Sequence, residues 1–312
     1  MNVLLTGSTG CIARHFVHSM LKSNKNLTFT LLTTHPKTAA HIYSKFKKSI
    51  TILSYIDEHT PKPDIILNLA GAPIISGPIS LRLYGEIESS RLEYTKNLCG
   101  QLKKYNLFPH IFISASASGI YRASPESHSE NSPQLGGDYI ANLAMNWENA
   151  VWEGCKTAPT RTVLLRLGNV IAPDSNFFTQ MAKIFKRGLG FTIKGEPIEM
   201  PWIDINDVLG AIAHIIRTPE IKGPVNLTSP EGCAFNDFAK NLAKALGKKT
   251  PLKLSPRIFT LTQGKLAPAI TKSLQVIPEV LIKTGYRFCC PDIETALKEA
   301  LHATKHKPSK SQ

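Results

Sequence analysis

Acidic residues are scarce in this chain. Asp and Glu number 23 against 37 Lys and Arg, leaving a formal charge of +14 at pH 7 over 312 residues. That imbalance favours anionic ligands, nucleic acid among them. The basic residues are scattered, however, over Lys45, Lys47 and Lys48, then Lys103 and Lys104, Lys248 and Lys249, and the terminal KHKPSKSQ. No aromatic residues interleave with them as a base-stacking surface requires. The charge therefore reads as solvated helix faces with some attraction for phosphorylated ligands, and nucleic acid is disfavoured as a partner. Long apolar runs are also missing: none approaches the roughly 20 residues of a membrane span, and the first residues carry no basic region or small-residue cleavage site. No membrane partner is expected. Six cysteines (Cys11, Cys99, Cys155, Cys233, Cys289, Cys290) show no CxxC or Cys/His spacing, so no metal site is expected and a reduced, cytoplasmic protein is. Neither an internal repeat nor a low-complexity linker divides the chain.

What the chain has is a glycine turn in a telling place. The apolar run Val3-Leu4-Leu5 ends in Thr6-Gly7-Ser8-Thr9-Gly10, and Ile12, Phe16, Val17, Met20 and Leu21 follow at helical spacing. Strand, glycine turn and helix in that order form the dinucleotide fingerprint: Gly7 permits the tight turn, Gly10 lets the backbone approach a pyrophosphate, and the positive helix end receives it. Ala13 takes the third fingerprint position. An ordinary strand–turn–helix is the competing reading.

Further along, strand and helix patterns alternate. Strands are predicted at 27–33, 49–53, 64–69, 110–114 and 161–167, with helices at 36–48, 80–105 and 138–156. Such alternation predicts a parallel, doubly wound α/β sheet of Rossmann type. Beyond Asn169 the pattern loosens, with helical stretches at 204–217, 234–247 and 292–304 and one more strand near 224–228 that returns to the sheet. The expected organisation is a dinucleotide-binding domain over 1–170, a smaller interleaved substrate lobe over 171–303, and a basic tail over 304–312.

Several local motifs then fall in one order: TGSTGCIAR, NLAGAPI, ESSR, SASASGIY, GGDYIANLAMNWE, RLGNVIAPD, FKRGLGF and PWIDINDV. Their order and spacing resemble the extended short-chain dehydrogenase/reductases, and within them the atypical "epimerase family" group, over about residues 1–303. The resemblance implies a nicotinamide cofactor held by Gly7, Thr9, Gly10, Cys11 and Ile12 of the first turn. It also implies contacts from Leu69, Ala70 and Gly71 after the fourth strand, and from Val170. Thr33 and Thr34 stand after the second strand, where an acidic residue selects NAD(H); the stretch LTTHPK has no carboxylate, so NADP(H) is favoured over NAD(H). The group's arginine at that point is Thr34 here, leaving Arg14, His35 or Lys37 to meet the 2′-phosphate. Glu86 and Arg91 match the group's ExxxxR pattern, Arg91 toward an anionic cofactor group.

In the extended enzymes a Ser/Thr and a Tyr-x-x-x-Lys pair carry the chemistry, the lysine lowering the pKa of the tyrosine. Ser116 (or Ser118) fills the serine position, but four residues after Tyr139 stands Leu143. Tyr43 and Lys47 have the spacing on the wrong part of the fold and read as an exposed amphipathic helix. Tyr121, in SGIY, is the remaining phenol for the pocket, with a structural role as its alternative. Ser116 and Tyr121 are therefore the candidate catalytic residues. Asp207 reads as a helix start or cap. The expected activity is that of an oxidoreductase or epimerase-like protein acting on a small carbonyl or nucleotide-sugar-like substrate. The alternative is a non-catalytic NADP(H)-binding regulatory protein. The substrate and the oligomeric state stay open.

Overall fold

Seven strands make one parallel sheet whose order reverses at its first strand. The computed structural model describes residues 1–74, 80–249 and 252–305; within the 304–312 tail, 306–312 lie outside the described residues. The strands are β1 (Asn2–Thr6), β2 (Thr28–Leu32), β3 (Ile50–Leu53), β4 (Ile65–Asn68), β5 (Ile111–Ala117), β6 (Arg161–Leu167) and β10 (Gly223–Leu227), lying in the order β10-β6-β5-β4-β1-β2-β3. From β1 the chain winds one way through β2 and β3 and the other way through β4, β5 and β6. The crevice at the carboxyl ends of β1 and β4 is the topological switch point, where open α/β sheets take ligands.

Alternation along β1 builds both layers. Val3 and Leu5 face one core with Phe16, Val17 and Leu21 of α1 (Cys11–Ser23), whereas Leu4 faces the other with Ile66, Phe112 and Leu98 of α4 (Leu92–Lys104). Apolar spacing seats α1 on the sheet, and Phe16 meets Phe29 of β2 edge to face. On the other face α5 (Tyr139–Cys155) packs beside α4, its start capped by the Asp138 carboxylate accepting from the Ala141 N–H at 3.1 Å.

Two helical expectations need correction. The stretch 36–48 is α2 (Pro36–Ile42) followed by a separate 3-10 turn, Ser44–Ser49. Tyr43, between them, is buried rather than exposed and donates from its hydroxyl to the Ser8 carbonyl at 2.5 Å. The stretch 80–105 is two helices, α3 (Leu81–Ser89) and α4, with the bend at Ser90-Arg91.

Beyond β6 the chain leaves the sheet through β7 (Asn169–Ile171), α6 (Asn176–Lys186), β8 (Phe191–Ile193) and β9 (Trp202–Asp204), then comes back along α7 (Ile205–Arg217) to β10, which pairs with β6. Arg161, at the start of β6, gathers that return: its guanidinium donates to the carbonyls of Ile215, Ile216, Thr218 and Ile221 at 2.7–3.3 Å. Beyond β10 the chain is helical, with α8 (Phe235–Ala245), α9 (Pro256–Gln263), α10 (Pro268–Thr271), α11 (Glu279–Lys283) and α12 (Ile293–Lys305), apart from a short strand, β11 (Leu252–Leu254), that pairs in parallel with β8. The core of the second lobe joins Phe178, Phe185, Phe238, Leu242 and Leu297. No helix among the described residues is long and apolar enough to cross a membrane.

The start of α7 departs from expectation. Its cap is Asp204, whose carboxylate accepts from the Asn206 N–H at 2.7 Å. Asp207 is buried and pins the chain before α12, accepting from the Cys289 and Cys290 N–H groups at 2.8 and 3.0 Å and from the Tyr286 hydroxyl. Burial pushes Asp204 up to about 6, with the nearby Asp207 and Glu299 charges adding to it. A raised carboxyl pKa means that ionisation costs the fold: stability is lost as pH rises from the unfolded value near 4 through about 6. Asp204→Asn keeps the capping oxygen and removes the charge. It is expected to stabilise the protein by about 1–3 kcal/mol at pH 7 and by nothing near pH 4. Urea unfolding at both pH values checks this; an equal effect at both would assign it to packing.

Candidate functional site

Thr6, the last residue of β1, organises the crevice. Its buried hydroxyl donates to Asn68 Oδ1 at 2.7 Å and accepts from the Leu69 and Ala70 N–H groups at 3.1 and 3.2 Å. Asn68 in turn donates to Ser114 Oγ of β5 at 3.0 Å and to Thr95 Oγ1 of α4 at 3.3 Å. Strands β1, β4 and β5 are thus cross-linked where they open into a cavity of about 500 Å³.

One wall of that cavity is the glycine turn, with Gly7, Gly10, Cys11 and Ile12. Gly7 has φ +65°, and a β-carbon there would lie 2.5 Å from the Leu69 carbonyl oxygen. Only glycine lets β1 turn this tightly against the β4 loop. Gly10 is extended (φ −70°, ψ 161°) and caps α1 with no side chain of its own, which leaves the helix N-terminus bare, as anion binding there requires. The opposite wall is Leu69 and Gly71 of the β4 loop together with Arg91. Ser116, at the end of β5, and Ile140, Leu143 and Trp147 along α5 add to it, with Val170, Asp174 and Asn176 beyond β6.

Nine of the expected contacts therefore share one cavity: Gly7, Gly10, Cys11, Ile12, Leu69, Gly71, Arg91, Ser116 and Val170. The others lie elsewhere. Thr9 and Ala70 are half-buried in the flanking turns. Thr33 is buried and Thr34 exposed, and both line a smaller hollow beyond β2 with Tyr55 and Tyr94. Glu86 is exposed on α3 and paired with Arg82 at 2.8 Å; the bend at Ser90 puts it on a different element from Arg91, so the two do not converge. Arg14 is held by Asp174, Nη2 to Oδ2 at 2.9 Å, and His15 Nε2 meets the same carboxylate at 2.8 Å. Burial would raise the Asp174 pKa, but His15, Cys11 and Arg14 together hold it well below the usual carboxylate range.

Tyr121 does not open onto the cavity. It is fully buried, stacked on His128 with ring centroids 4.9 Å apart; its hydroxyl donates to Asn226 Oδ1 at 2.8 Å and accepts from Arg166 Nη1 at 2.9 Å. Burial pushes its pKa up, outweighing Arg166, so it supplies no base at neutral pH. Tyr139 faces a shallow hollow against Gly264 and Lys265, and burial raises it to about 12. Among the described residues no tyrosine lines the cavity.

Sequence reasoning missed the partner of Ser116. Its hydroxyl donates to Glu148 Oε1 at 2.7 Å, and Arg166 clamps that carboxylate through Nε and Nη2, each at 2.9 Å. Serine, glutamate and both partners of the ion pair are buried. The signal was Arg166 inside the apolar strand RTVLLRL, since a charge at a buried strand position requires a partner. Ser175 caps α6 by accepting from the Phe178 N–H at 3.3 Å.

Comparison with known proteins bears on this geometry. Residues 3–227 match the family model described as the NAD dependent epimerase/dehydratase family, and residues 258–300 a domain of unknown function, DUF1731. The epimerase family protein SDR39U1 of Bos taurus is 30% identical over 247 residues, 77% of this chain and 83% of that protein. Its Homo sapiens counterpart is 27% identical over 96% of this chain and 99% of its own length. A crystal structure of the human protein (isoform 2) with NADPH superimposes with a TM-score of 0.82 at 25% identity, covering 98% of this chain and all of that one. A UDP-glucose 4-epimerase from Thermotoga maritima, with UDP-glucose, shares the fold at TM-score 0.77 and 17% identity over 98% of this chain and all of that one.

Proposed function

The chain belongs to the NAD dependent epimerase/dehydratase family, and from that premise we propose that it binds NADP(H) in the switch-point cavity and acts as an oxidoreductase or epimerase-like enzyme on a small carbonyl or nucleotide-sugar-like substrate. The observation that carries this reading is the bare cradle between Gly10 at the α1 N-terminus and the Leu69–Gly71 loop, with Ser116 on the same cavity wall. The first turn would hold the pyrophosphate, Leu69, Ala70 and Gly71 the ribose edge, and Val170 the far side. When bound, the nicotinamide supplies or accepts a hydride. The human relative solved with NADPH supports NADP(H) as the cofactor, and so does the absence of a carboxylate from LTTHPK. With Thr34 in place of an arginine clamp and Arg14 held by Asp174, the preference for NADPH over NADH is expected to be modest, about two- to tenfold, and to shrink as salt rises. Calorimetry with both cofactors at two ionic strengths tests this, and tighter binding of NADH would overturn it.

Chemistry in the cavity falls to Ser116. Its proton points at Glu148, so polarising a carbonyl requires the hydroxyl to leave that 2.7 Å bond. Any hydride transfer is therefore expected to be slow. Ser116→Ala should reduce it on the order of ten- to a hundredfold, because a donor in a dry site is worth that much, while Tyr139→Phe should leave it nearly unchanged. Single-turnover NADPH oxidation against a panel of carbonyl compounds reads both. A fast rate lost only in Tyr139→Phe would restore a tyrosine mechanism. The lack of a tyrosine on the cavity wall among the described residues favours a second reading, an NADP(H)-binding regulatory protein without turnover, which no oxidation by any panel member would support.

A further inference from the structure

Arg91 is a buried cation for which the described residues supply no counter-charge. It is 8% exposed. Its guanidinium donates only to neutral oxygens, from Nη1 to the Ile87 carbonyl and Ser90 Oγ at 3.1 and 3.4 Å and from Nη2 to the Ala72 carbonyl at 2.9 Å. The group lies 5.2 Å from the centre of the Trp147 ring on α5. No carboxylate pairs with it among the described residues, and residues 75–79, Ile-Ser-Gly-Pro-Ile, contain none in their sequence. Burial without a partner pushes it down to about 10, which still leaves it charged at neutral pH. A buried charge left unpaired is costly, and Arg is the side chain suited to planar, two-pronged recognition of an oxyanion.

The neighbouring backbone leaves the guanidinium face uncrowded. A β-carbon on Gly71 would sit 3.3 Å from Arg91 Cζ, 3.4 Å from Nη2 and 3.6 Å from Nε. With Cζ its nearest neighbour, it would sit on the face of the guanidinium, and Nε makes no hydrogen bond among the described residues. Gly71, Arg91 and Trp147 all line the cavity that contains Ser116. Arg91 makes its contacts to the end of α3, to the β4 loop and to α5, and none to the α1 turn where the fingerprint seats a pyrophosphate.

We propose that the Nε–Nη2 edge of Arg91 binds the carboxylate of the substrate, so that the carbonyl or hydroxyl compound handled here is an organic acid anion. Trp147 holds the guanidinium plane in place, and the planar carboxylate takes two parallel charge-assisted hydrogen bonds. This rests on the cavity's reading as a cofactor and substrate site, and the test separates the two.

Binding of oxalate, inorganic phosphate and the neutral dimethyl oxalate is measured by calorimetry on the full chain, with and without saturating NADPH; NADPH affinity is measured independently by fluorescence. The wild type is expected to bind oxalate saturably in the NADPH complex and to ignore the neutral ester. Arg91→Lys, which keeps the charge but loses the fork, should weaken oxalate at least about tenfold while changing NADPH affinity less than about twofold. Arg91→Met should remove oxalate binding, with circular dichroism confirming the fold. Loss of NADPH affinity in Arg91→Lys without loss of oxalate binding would give the arginine to a cofactor phosphate and overturn the proposal, as would oxalate binding indifferent to both arginine variants or absent from the wild type. Phosphate bound in preference to oxalate would overturn the carboxylate assignment. Failure of the wild type to bind NADPH sinks the functional reading alone, since the oxalate titration without NADPH still decides the fate of Arg91.

Discussion

A Gly10→Val protein is expected to fold normally and to bind NADPH at least about a hundredfold more weakly than the wild type. The fold tolerates the change because the residue is extended, at φ −70° and ψ 161°, where a β-branched side chain is at ease. A β-carbon there comes to 3.1 Å from the Gly7 carbonyl oxygen, a tight contact that the turn must relieve by shifting a few tenths of an ångström. Binding does not tolerate it. The two γ-methyls fill the space in front of the α1 N-terminus, where a pyrophosphate must come within hydrogen-bonding distance of the backbone. Gly7→Ala is the instructive contrast: at φ +65° and 2.5 Å from the Leu69 oxygen its methyl strikes backbone, so stability and binding fall together. NADPH fluorescence titration with a melting curve for each variant makes the distinction. Unchanged affinity in Gly10→Val would remove the pyrophosphate from this turn.

Glu148→Ala is expected to cost about 3–5 kcal/mol of stability, because it strands the Arg166 guanidinium inside the fold. Both side chains are at most 8% exposed, and the clamp is two-pronged at 2.9 Å. Against the pull of burial, Glu148 and Tyr121 keep that guanidinium firmly protonated, so it cannot escape by losing its proton. Ser116 would lose its acceptor as well. Replacing both charges, Glu148→Met with Arg166→Met, should recover most of the loss, since a packed apolar pair of similar volume often equals a buried ion pair. Urea unfolding of the two single variants and the double variant gives the coupling. A single-variant loss below about 1 kcal/mol would mean that solvent reaches the pair.

Periodicity and glycine placement carried the sheet, because a strand buried on both faces and a helix seated on it each leave a local pattern, as at Leu4, Leu5, Phe16 and Val17. The turn at Gly7 and Gly10 was legible for the same reason. The pairing of Ser116 with Glu148 was not, since 32 residues separate them and nothing local marks which face of α5 looks at β5. Tyr43 reads as exposed only while α2 is imagined to run on; its burial depends on a bend at the next residue and on the Ser8 carbonyl, 35 positions away. Tyr121 looks like a pocket residue from its place after β5. Its partners Arg166 and Asn226 come from β6 and β10, and only the assembled sheet shows that they turn the phenol inward.

The return of β10 to the edge of β6 also fixes an order of events during synthesis. Until residue 227 has emerged, β6 presents an unpaired row of backbone groups, and the four carbonyls that Arg161 gathers do not yet exist as a cluster. A nascent chain stopped near residue 200 therefore carries an adhesive strand edge headed by an arginine that lacks its carbonyl partners. The long excursion between β6 and β10 makes closure of that edge a slow, entropically expensive step. Chaperone dependence should accordingly peak for chains of intermediate length and fall once β10 has docked.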